Sequence, residues 1–473
     1  MKVGPVSVAV IAPYWSFWEH TIGPNVRMER AADARMVAGL LGDEFHVLLS
    51  DSLSNIEESV AAVAKVNGLG LEVVLILSSM AVPPQTLTTF LNSLEAKPEV
   101  VIWAVNDVDF AVRDDFNHGA ITQHGSTVGA PMIASALLRS GTRSPVILGR
   151  LGDDAVLGRI RSAIKLGGAS ARLRRARIGA IGTPLVGYSH VVTDSDQLQK
   201  ATGMTVVDIE PSHFADVFRA VNSERAGQFL DEMTARYCPS SEIRGSQSLL
   251  GAARAAVALQ DLCEALDLSG GAMNCHVDEI RLGEEIGFAP CFALGHMTSR
   301  GVPWTCVGDV LTAIAMVGVA ALGRPTLYHE IEAIDYESGE LLIANSGEHD
   351  SRFWPSNRPS IERNDWFPAS ENMCSVCVTG ELADGLATLV AFAEQPDHRY
   401  RFITAQGRLT GRGFPWTGTT NGGLRLDAED PFGSWEVWAE AGPGHHSCLT
   451  TGHVAADLGA VASAVGCEWV SVC

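Results

Sequence analysis

Roughly the first 170 residues alternate short apolar, β-rich runs with amphipathic helical patterns, and this alternation most narrows the folds open to the chain. It predicts a doubly wound sheet of parallel strands with helices on both faces. The predicted strands are Val6–Ile11, Phe45–Leu49, Val73–Leu77 and Val100–Val105. The predicted helices are Val26–Leu41, Ile56–Val66, Gln85–Leu94 and Val128–Leu138.

Ligands of such sheets bind at the carboxyl ends of the strands, so the residues that follow each strand are candidates for binding. Trp15 and Trp18 follow the first strand, and an aromatic face beside polar groups suits a sugar ring. Packing is the alternative role for both tryptophans. His124 lies in another polar stretch and is a candidate substrate contact, with simple solvation as its alternative.

The chain has 473 residues, more than one hydrophobic core supports, so we expect several domains. We predict an N-terminal α/β domain over residues 1–173 and a second over 174–325. The second domain closes with a helix that is apolar all round, and Asp309 is its predicted N-cap. From residue 326 to 473 hairpins and glycine-rich turns predict a mainly antiparallel β domain.

The net charge and the hydropathy pattern exclude several classes of partner and location. Lys and Arg number 34 against 55 Asp and Glu, a net charge of −21, which argues against a nucleic-acid or anionic-membrane partner. The longest apolar helical run, 310–322, is shorter than the roughly 20 residues of a bilayer span, and the N-terminus lacks a secretory signal pattern. We therefore expect a cytoplasmic enzyme with a small-molecule substrate and reduced cysteines.

A predicted β-hairpin over residues 328–350 places an acid on one arm and a histidine on the other. A turn centred between Ser338 and Gly339 would set Glu330 opposite Gly347. His349 would then be a diagonal neighbour of Glu330, about 7–8 Å away, and both side chains would reach one metal ion.

Two adjacent histidines, His445 and His446, lie in a glycine-rich loop much later in the chain. One carboxylate and two imidazoles with open positions suit Mn²⁺, Fe²⁺, Co²⁺ or Zn²⁺. The alternatives are a solvated glutamate, a histidine bonded to a backbone carbonyl and an incidental histidine pair.

In these residues the chain resembles the L-arabinose isomerase and L-fucose isomerase superfamily of aldose-ketose isomerases. The resemblance is carried by Gly308-Asp309 before a buried helix, Glu330 on a strand, His349 on the next strand and the His445-His446 loop. It implies two α/β domains and an antiparallel C-terminal domain. It also implies that Glu330, His349 and His446 hold a metal, usually Mn²⁺, and that His445 lies at the substrate.

One position departs from the family. The resemblance implies a glutamate two residues before Asp309, which moves the proton between C1 and C2 of the sugar, whereas this chain has Val307. Valine cannot transfer a proton, so another residue or another reaction is required. Asp309 is the first replacement, with helix capping as its alternative role, and Glu348, Asp278 and Glu279 are further candidates. His276, which follows a predicted strand Met273–Val277, is a candidate substrate contact.

Three functions follow as hypotheses. The first is a metal-dependent isomerase of a pentose or deoxyhexose, with Glu330 and Asp309 as catalytic residues. The second is an epimerase or aldolase-type lyase on a sugar or sugar acid, which Val307 favours. The third is a non-catalytic sugar-binding protein. The resemblance also implies a homo-oligomer, a trimer or hexamer, in which Trp15, Trp18 and His124 contribute to a neighbour's site.

Overall fold

The computed structural model describes residues 4–109, 117–345, 347–354, 359–364, 369–370, 373–414 and 419–473. The chain separates into two compact units, which are Gly4–Arg172 and Leu173–Cys473. The predicted boundary at residue 325 lies inside the second unit. The strands of one main sheet of this unit precede residue 325 in the sequence, and the strands of the other main sheet follow it.

The N-terminal unit is built on a five-stranded parallel sheet with the order β2-β1-β3-β4-β5. Its strands are β1 (Val6–Pro13), β2 (Phe45–Leu53), β3 (Val73–Ser78), β4 (Glu99–Val105) and β5 (Val146–Gly149). Its helices are α1 (Glu19–Ile22), α2 (Val26–Leu41), α3 (Ile56–Val66), α4 (Gln85–Asn92), α5 (His118–Gln123), α6 (Ser126–Arg139) and α7 (Asp154–Arg174). The parallel sheet predicted from the alternation is confirmed.

Both faces of this sheet are buried. Successive residues of β1 belong to two different core clusters, because Val8 and Val10 enter one cluster while Ala9 and Ile11 enter the other. A strand covered on both faces reads as a continuous apolar run, which is why the strands were visible in the sequence.

The strands of the C-terminal unit form three sheets. They are β6 (Arg177–Ile181), β7 (Thr205–Ile209), β8 (Cys238–Pro239), β9 (Gly270–Met273), β10 (Trp304–Thr305), β11 (Leu327–Asp335), β12 (Glu340–Asn345), β13 (Ser360–Asn364), β14 (Ser375–Thr379), β15 (Gly385–Gln395), β16 (Arg399–Leu409), β17 (Thr420–Leu426), β18 (His446–Thr451) and β19 (Glu468–Ser471). A four-stranded parallel sheet has the order β10-β9-β6-β7, and a small sheet has the order β14-β13-β8.

The third sheet is mostly antiparallel and closes on itself. Its order is β15-β18-β11-β12-β17-β16-β19, and β15 also pairs with β16 along the full length of both strands. Six strands therefore form a closed ring, and β19 lies parallel to β16 beside it. The mainly antiparallel C-terminal part predicted from the hairpin pattern is confirmed.

The helices of the C-terminal unit are α8 (Ser195–Thr202), α9 (Pro211–Ala220), α10 (Ser223–Arg236), α11 (Gln247–Leu266), α12 (Asp278–Arg281), α13 (Cys291–Ser299), α14 (Val310–Ala321), α15 (Pro431–Glu440) and α16 (Ala455–Ala464). Every residue of α14 from Val310 to Ala320 is buried, as its all-round apolar pattern predicts. Among the helices that the structure describes, none is both long and apolar enough to cross a membrane.

The predicted strand Met273–Val277 is wrong, because β9 covers Gly270–Met273 and ends where that prediction begins. A Cβ on Gly271 would lie 2.6 Å from the Gly179 carbonyl oxygen and 2.6 Å from the Trp304 ring. The strand thus needs a glycine for close packing, although glycine is a poor strand former by propensity.

The predicted hairpin exists, but its predicted register is wrong. Glu330 pairs with Ala344 and not with Gly347. The turn spans 336–339, so it is centred one residue earlier than predicted, and a bulge at Glu332 shifts the ladder by one more residue. A bulge adds an unpaired residue to one strand, and the hydrophobic pattern alone does not reveal it.

Candidate metal site

The ring of antiparallel strands brings Glu330 and His446 together. Strand β11 pairs with β18 so that Glu330 lies directly opposite His446, and His329 lies opposite Ser447. Directly opposed residues have Cβ atoms about 4.5–5.5 Å apart. The Glu330 Oε1 and His446 Nε2 atoms are 2.9 Å apart.

His445 completes a group of three. Its Nε2 atom lies 3.7 Å from Glu330 Oε1, and its ring centroid lies 3.7 Å from that of His446. Potential ligand atoms of Glu330, His445 and His446 all lie within 4.8 Å of one another. Two imidazole nitrogens and one carboxylate oxygen thus converge on one point.

The neighbouring carboxylate of Asp309 orients His446. Its Oδ2 atom lies 2.8 Å from His446 Nδ1, which directs Nε2 toward Glu330. The same carboxylate caps α14, because Oδ1 accepts from the Thr312 amide at 2.8 Å and Oδ2 accepts from the Thr312 hydroxyl at 2.8 Å. Both oxygens of Asp309 are therefore engaged, which favours a capping and positioning role.

Hydrogen bonds and charges within the site shift the pKa values of His446, Glu330 and Glu332. Burial lowers the pKa of His446, but hydrogen bonds to Asp309 and Glu330 outweigh burial and raise this pKa to about 9. Burial raises the pKa of Glu330, yet its bonds to His446 and Glu332 lower it to about 2. Burial and the hydrogen bond to Glu330 raise the pKa of Glu332 to about 7. The site thus favours positive charge, and the pKa of Glu332 lies close to neutral pH.

The group runs from the core to the surface. The side chains of Asp309 and His446 are 1% and 5% exposed, whereas those of Glu330 and His445 are 32% and 38% exposed. Glu332, two residues beyond Glu330 on β11, is exposed. A small molecule therefore has access to the Glu330 side of the group while its inner side stays dry.

His349, a predicted metal ligand, lies outside the group of three. It is fully buried and forms an isolated bridge with Leu327. Its Nδ1 atom donates to the Val378 carbonyl at 2.8 Å, and its Nε2 atom finds no hydrogen-bond partner among the described residues. Burial lowers its pKa to about 4, so the ring is neutral. A neutral ring with one nitrogen fixed by a carbonyl suits ligation, and this role stays a prediction.

Two residues that we did not select in the sequence border the group. His190 Nε2 lies 2.9 Å from His445 Nδ1, and the Tyr188 ring packs edge-on against His445 with centroids 5.3 Å apart. Both residues follow β6, so the rule that ligands bind at the carboxyl ends of parallel strands could have indicated them. Glu332 was also missed, since an exposed glutamate on a strand carries no distinctive signal.

The turn before Asp309 is strained at Val307. Val307 has a φ of 49°, and Gly308 follows with a φ of 76°. A β-branched residue at positive φ is a genuine outlier, and such outliers persist where surrounding contacts hold them. The Asp309 amide donates to the Cys306 carbonyl at 3.1 Å, which closes this turn.

The remaining predicted site residues lie elsewhere. Trp15 and Trp18 belong to the N-terminal unit, where their rings pack edge-on with centroids 5.7 Å apart and Trp18 donates to the Ala81 carbonyl at 3.3 Å. His124 follows α5 in the same unit. His276 is half-buried beside Cys275 and Cys306 in the C-terminal unit. Their predicted contacts with substrate stay predictions.

Comparison with known proteins identifies a distant relative. No family model matches the chain. A protein named sulfoquinovose isomerase from Alkalicoccus urumqiensis is 23% identical over 252 residues, which are 52% of this chain and 54% of the relative. The chain therefore spans about half the length of this curated relative. The name of the relative describes a sugar isomerase, in agreement with the class expected from the sequence.

Proposed function

We propose that this protein is a divalent-metal-dependent sugar isomerase that interconverts an aldose and a ketose. The observation that carries the proposal is the convergence of Glu330, His445 and His446 within 4.8 Å, with His446 oriented by Asp309. The distant relative named as a sugar isomerase supports the reaction class.

The donor set fits a divalent cation. Glu330 supplies a carboxylate oxygen, and His445 and His446 supply Nε2 atoms that face it. The carboxylate behind His446 Nδ1 repeats the carboxylate-histidine arrangement that supports metal ligands. Such an oxygen and nitrogen set suits Mn²⁺, Fe²⁺, Co²⁺ or Zn²⁺, and Mn²⁺ is our proposal from the family resemblance. When bound, the cation polarises a sugar oxygen and stabilises the negative charge that develops on it.

Glu332 is the proposed proton carrier in place of the missing glutamate at Val307. It lies on β11 at the bulge, hydrogen-bonds to Glu330, and is exposed where a sugar would enter. Aldose-ketose exchange removes a proton from one carbon and returns it to its neighbour, which one carboxylate within reach of both carbons accomplishes. Asp309, our first candidate from the sequence, has both oxygens engaged by Thr312 and His446.

Metal analysis tests the proposed ligands. We expect Glu330→Gln and His446→Ala each to lose bound Mn²⁺ and activity, measured by mass spectrometry of the purified protein and by an isomerase assay. His445→Ala tests the third member of the observed group, and His349→Ala tests the ligand predicted from the sequence. His453→Ala, at a histidine paired with Asp427, is the control. Full metal content and full activity in both Glu330→Gln and His446→Ala would contradict the proposal.

Proton exchange tests the carrier. Glu332→Gln keeps the shape of the side chain and removes its proton-accepting oxygen, so kcat should fall about 10²- to 10⁴-fold with metal content unchanged. Incorporation of deuterium from D₂O at C1 or C2, followed by NMR, should fall in parallel. Glu337→Gln, in the exposed hairpin turn, is the matched control and should behave as wild type. Unchanged exchange in Glu332→Gln would assign the proton step to another residue.

The same NMR experiment separates the alternative reactions. Pentoses, deoxyhexoses, sugar acids and sulfoquinovose, the sugar in the relative's name, form the substrate panel. Val307 favours an epimerase or lyase as the second candidate, because the residue that normally moves the proton is absent. Carbon-chain cleavage or inversion at one carbon would establish that second reaction, and metal binding without turnover would indicate a sugar-binding protein.

Our proposal includes a homo-oligomer, a trimer or hexamer. In it, Trp15, Trp18 and His124 of one subunit contribute to the substrate site of a neighbouring subunit. Light scattering coupled to size-exclusion chromatography measures the oligomeric state. A purely monomeric, fully active protein would remove this part of the proposal and leave the metal site unaffected.

A further inference from the structure

A second group of potential metal ligands, Cys275, His276 and Cys306, lies at one end of the parallel sheet of the C-terminal unit. Cys275 and His276 follow β9, and Cys306 follows β10. Those strands are parallel neighbours, with Gly271 paired to Trp304 and Ala272 paired to Thr305. Their carboxyl ends therefore bring the three residues together, and one ligand atom of each lies within 4.8 Å of the other two.

A buried carboxyl group beside the Cys306 thiol lacks a strong hydrogen-bond partner among the described residues. Glu348 is fully buried. Among the residues that the structure describes, neither of its carboxyl oxygens finds a hydrogen-bond partner of normal geometry. The groups nearest to its oxygens include its own backbone amide and the thiols of Cys291 and Cys306, and thiols are weak donors. A buried polar group without a strong partner is destabilising, so the arrangement indicates a missing component.

A divalent cation held by Cys275, His276 and Cys306 would supply a positive charge near this carboxyl group. Two thiolates also neutralise the charge of a divalent cation, which makes the group compatible with a buried position. Cys275 and Cys306 are both buried, and His276 is half-buried.

We propose that Cys275, His276 and Cys306 form a second cation site that selects zinc. Sulfur ligands favour Zn²⁺ over Mn²⁺, whereas the oxygen and nitrogen donors of Glu330, His445 and His446 lack this preference. Two cysteines and one histidine leave a fourth tetrahedral position open. The site would join the segments that follow β9 and β10 and hold the strained turn Cys306–Asp309, which carries the carboxylate beside His446.

Cobalt substitution of the wild-type protein tests the site without any variant. Co²⁺ bound to thiolates gives an intense sulfur-to-cobalt charge-transfer absorption in the near ultraviolet. The group of Glu330, His445 and His446 contains no sulfur and cannot produce it. We expect this absorption on loading with Co²⁺ and its loss on displacement by Zn²⁺. Cobalt-loaded protein without the absorption would overturn the proposal.

Variants locate the ligands and separate this proposal from the proposed function. Cys306→Ser and Cys275→Ser should each lower the absorption at least twofold, the double variant should abolish both the absorption and one equivalent of zinc, and His276→Ala should weaken zinc binding. Cys467→Ser, at a buried cysteine in another part of the unit, should retain both. Glu330→Gln should keep the absorption while it loses the other metal. Undiminished absorption in Cys306→Ser, with circular dichroism as in wild type, would overturn the assignment.

Discussion

Asp309 combines two interactions that a single substitution can separate. Its carboxylate caps α14 through the Thr312 amide and also holds the His446 ring. Asparagine caps helices about as well as aspartate, but its neutral side chain makes a weaker bond to a metal-bound histidine.

Asp309→Asn should therefore weaken metal binding about 10- to 100-fold while keeping the helix cap at the Thr312 amide. Calorimetric titration with Mn²⁺ and thermal unfolding measure the two effects. Asp309→Ala is the comparison, since it should also lose about 1 kcal/mol of helix capping. Wild-type affinity in Asp309→Asn would show that His446 is oriented without this carboxylate.

His296 makes the C-terminal unit sensitive to acid. It is buried on α13 between the rings of Phe229 and Phe292, with no hydrogen-bond partner for either nitrogen among the described residues. Burial and the charges of Arg300 and Arg236 lower its pKa to about 3 from an ordinary value of 6.5. Below pH 6.5 this histidine binds a proton in the unfolded chain but stays neutral in the folded protein. The free energy of unfolding therefore decreases as the pH falls from 6.5 toward 3.

The loss from this residue alone should reach about 2 kcal/mol at pH 5, because one pKa unit corresponds to about 1.4 kcal/mol. His296→Phe removes the titrating group and should reduce the acid-induced loss by that amount. Urea unfolding at pH 7 and pH 5 measures the difference. His213→Ala, at an exposed histidine of α9, should keep the wild-type dependence, and an unaltered dependence in His296→Phe would contradict the argument.

At the scale of elements, two helical glycines of the N-terminal unit differ in what surrounds them. A Cβ on Gly129 of α6 would lie 2.1 Å from the Met80 carbonyl oxygen and 2.9 Å from the Ser78 hydroxyl. A Cβ on Gly158 of α7 would meet nothing within 4 Å. Only the first glycine is required by packing.

Gly129→Ala should destabilise the N-terminal unit by about 1–3 kcal/mol, since the helix must move away from the segment after β3. Gly158→Ala should stabilise it by about 0.5–1 kcal/mol, because alanine is the better helix former. Thermal unfolding of both variants measures this contrast. Equal effects would mean that the close approach of α6 does not control stability.

Helices and strands could be predicted from the sequence where burial of one face produces a periodic pattern of apolar residues. The predicted helices Val26–Leu41 and Ile56–Val66 agree with the structure at both ends, and α14 begins after its predicted cap. The register of β11 on β12 could not be read from the sequence, because the bulge at Glu332 changes which residues pair without changing the apolar pattern.

At the scale of the whole molecule, the two units have their own hydrophobic cores. Two core clusters lie within residues 6–164, and a third lies within residues 181–449. Chains longer than about 250–300 residues usually split into domains that unfold separately.

Calorimetry should therefore show more than one unfolding transition. Gly129→Ala should lower the transition of the N-terminal unit, and removal of metal should lower that of the C-terminal unit, because ligands stabilise the state that binds them. A single two-state transition that both changes lower equally would contradict independent unfolding.

The classes of the sheets and the buried helix α14 could be predicted from the sequence, and Glu330 and the histidine pair could be selected from it as candidate site residues. Strand and helix periodicities record burial locally, so they can be read along the chain. Three contacts became apparent only from the three-dimensional structure. His445 lies beside Glu330 and His446, Glu332 and His190 border this group, and Cys275 lies close to Cys306. These contacts depend on strand register and on pairing between distant segments, and no local pattern encodes them.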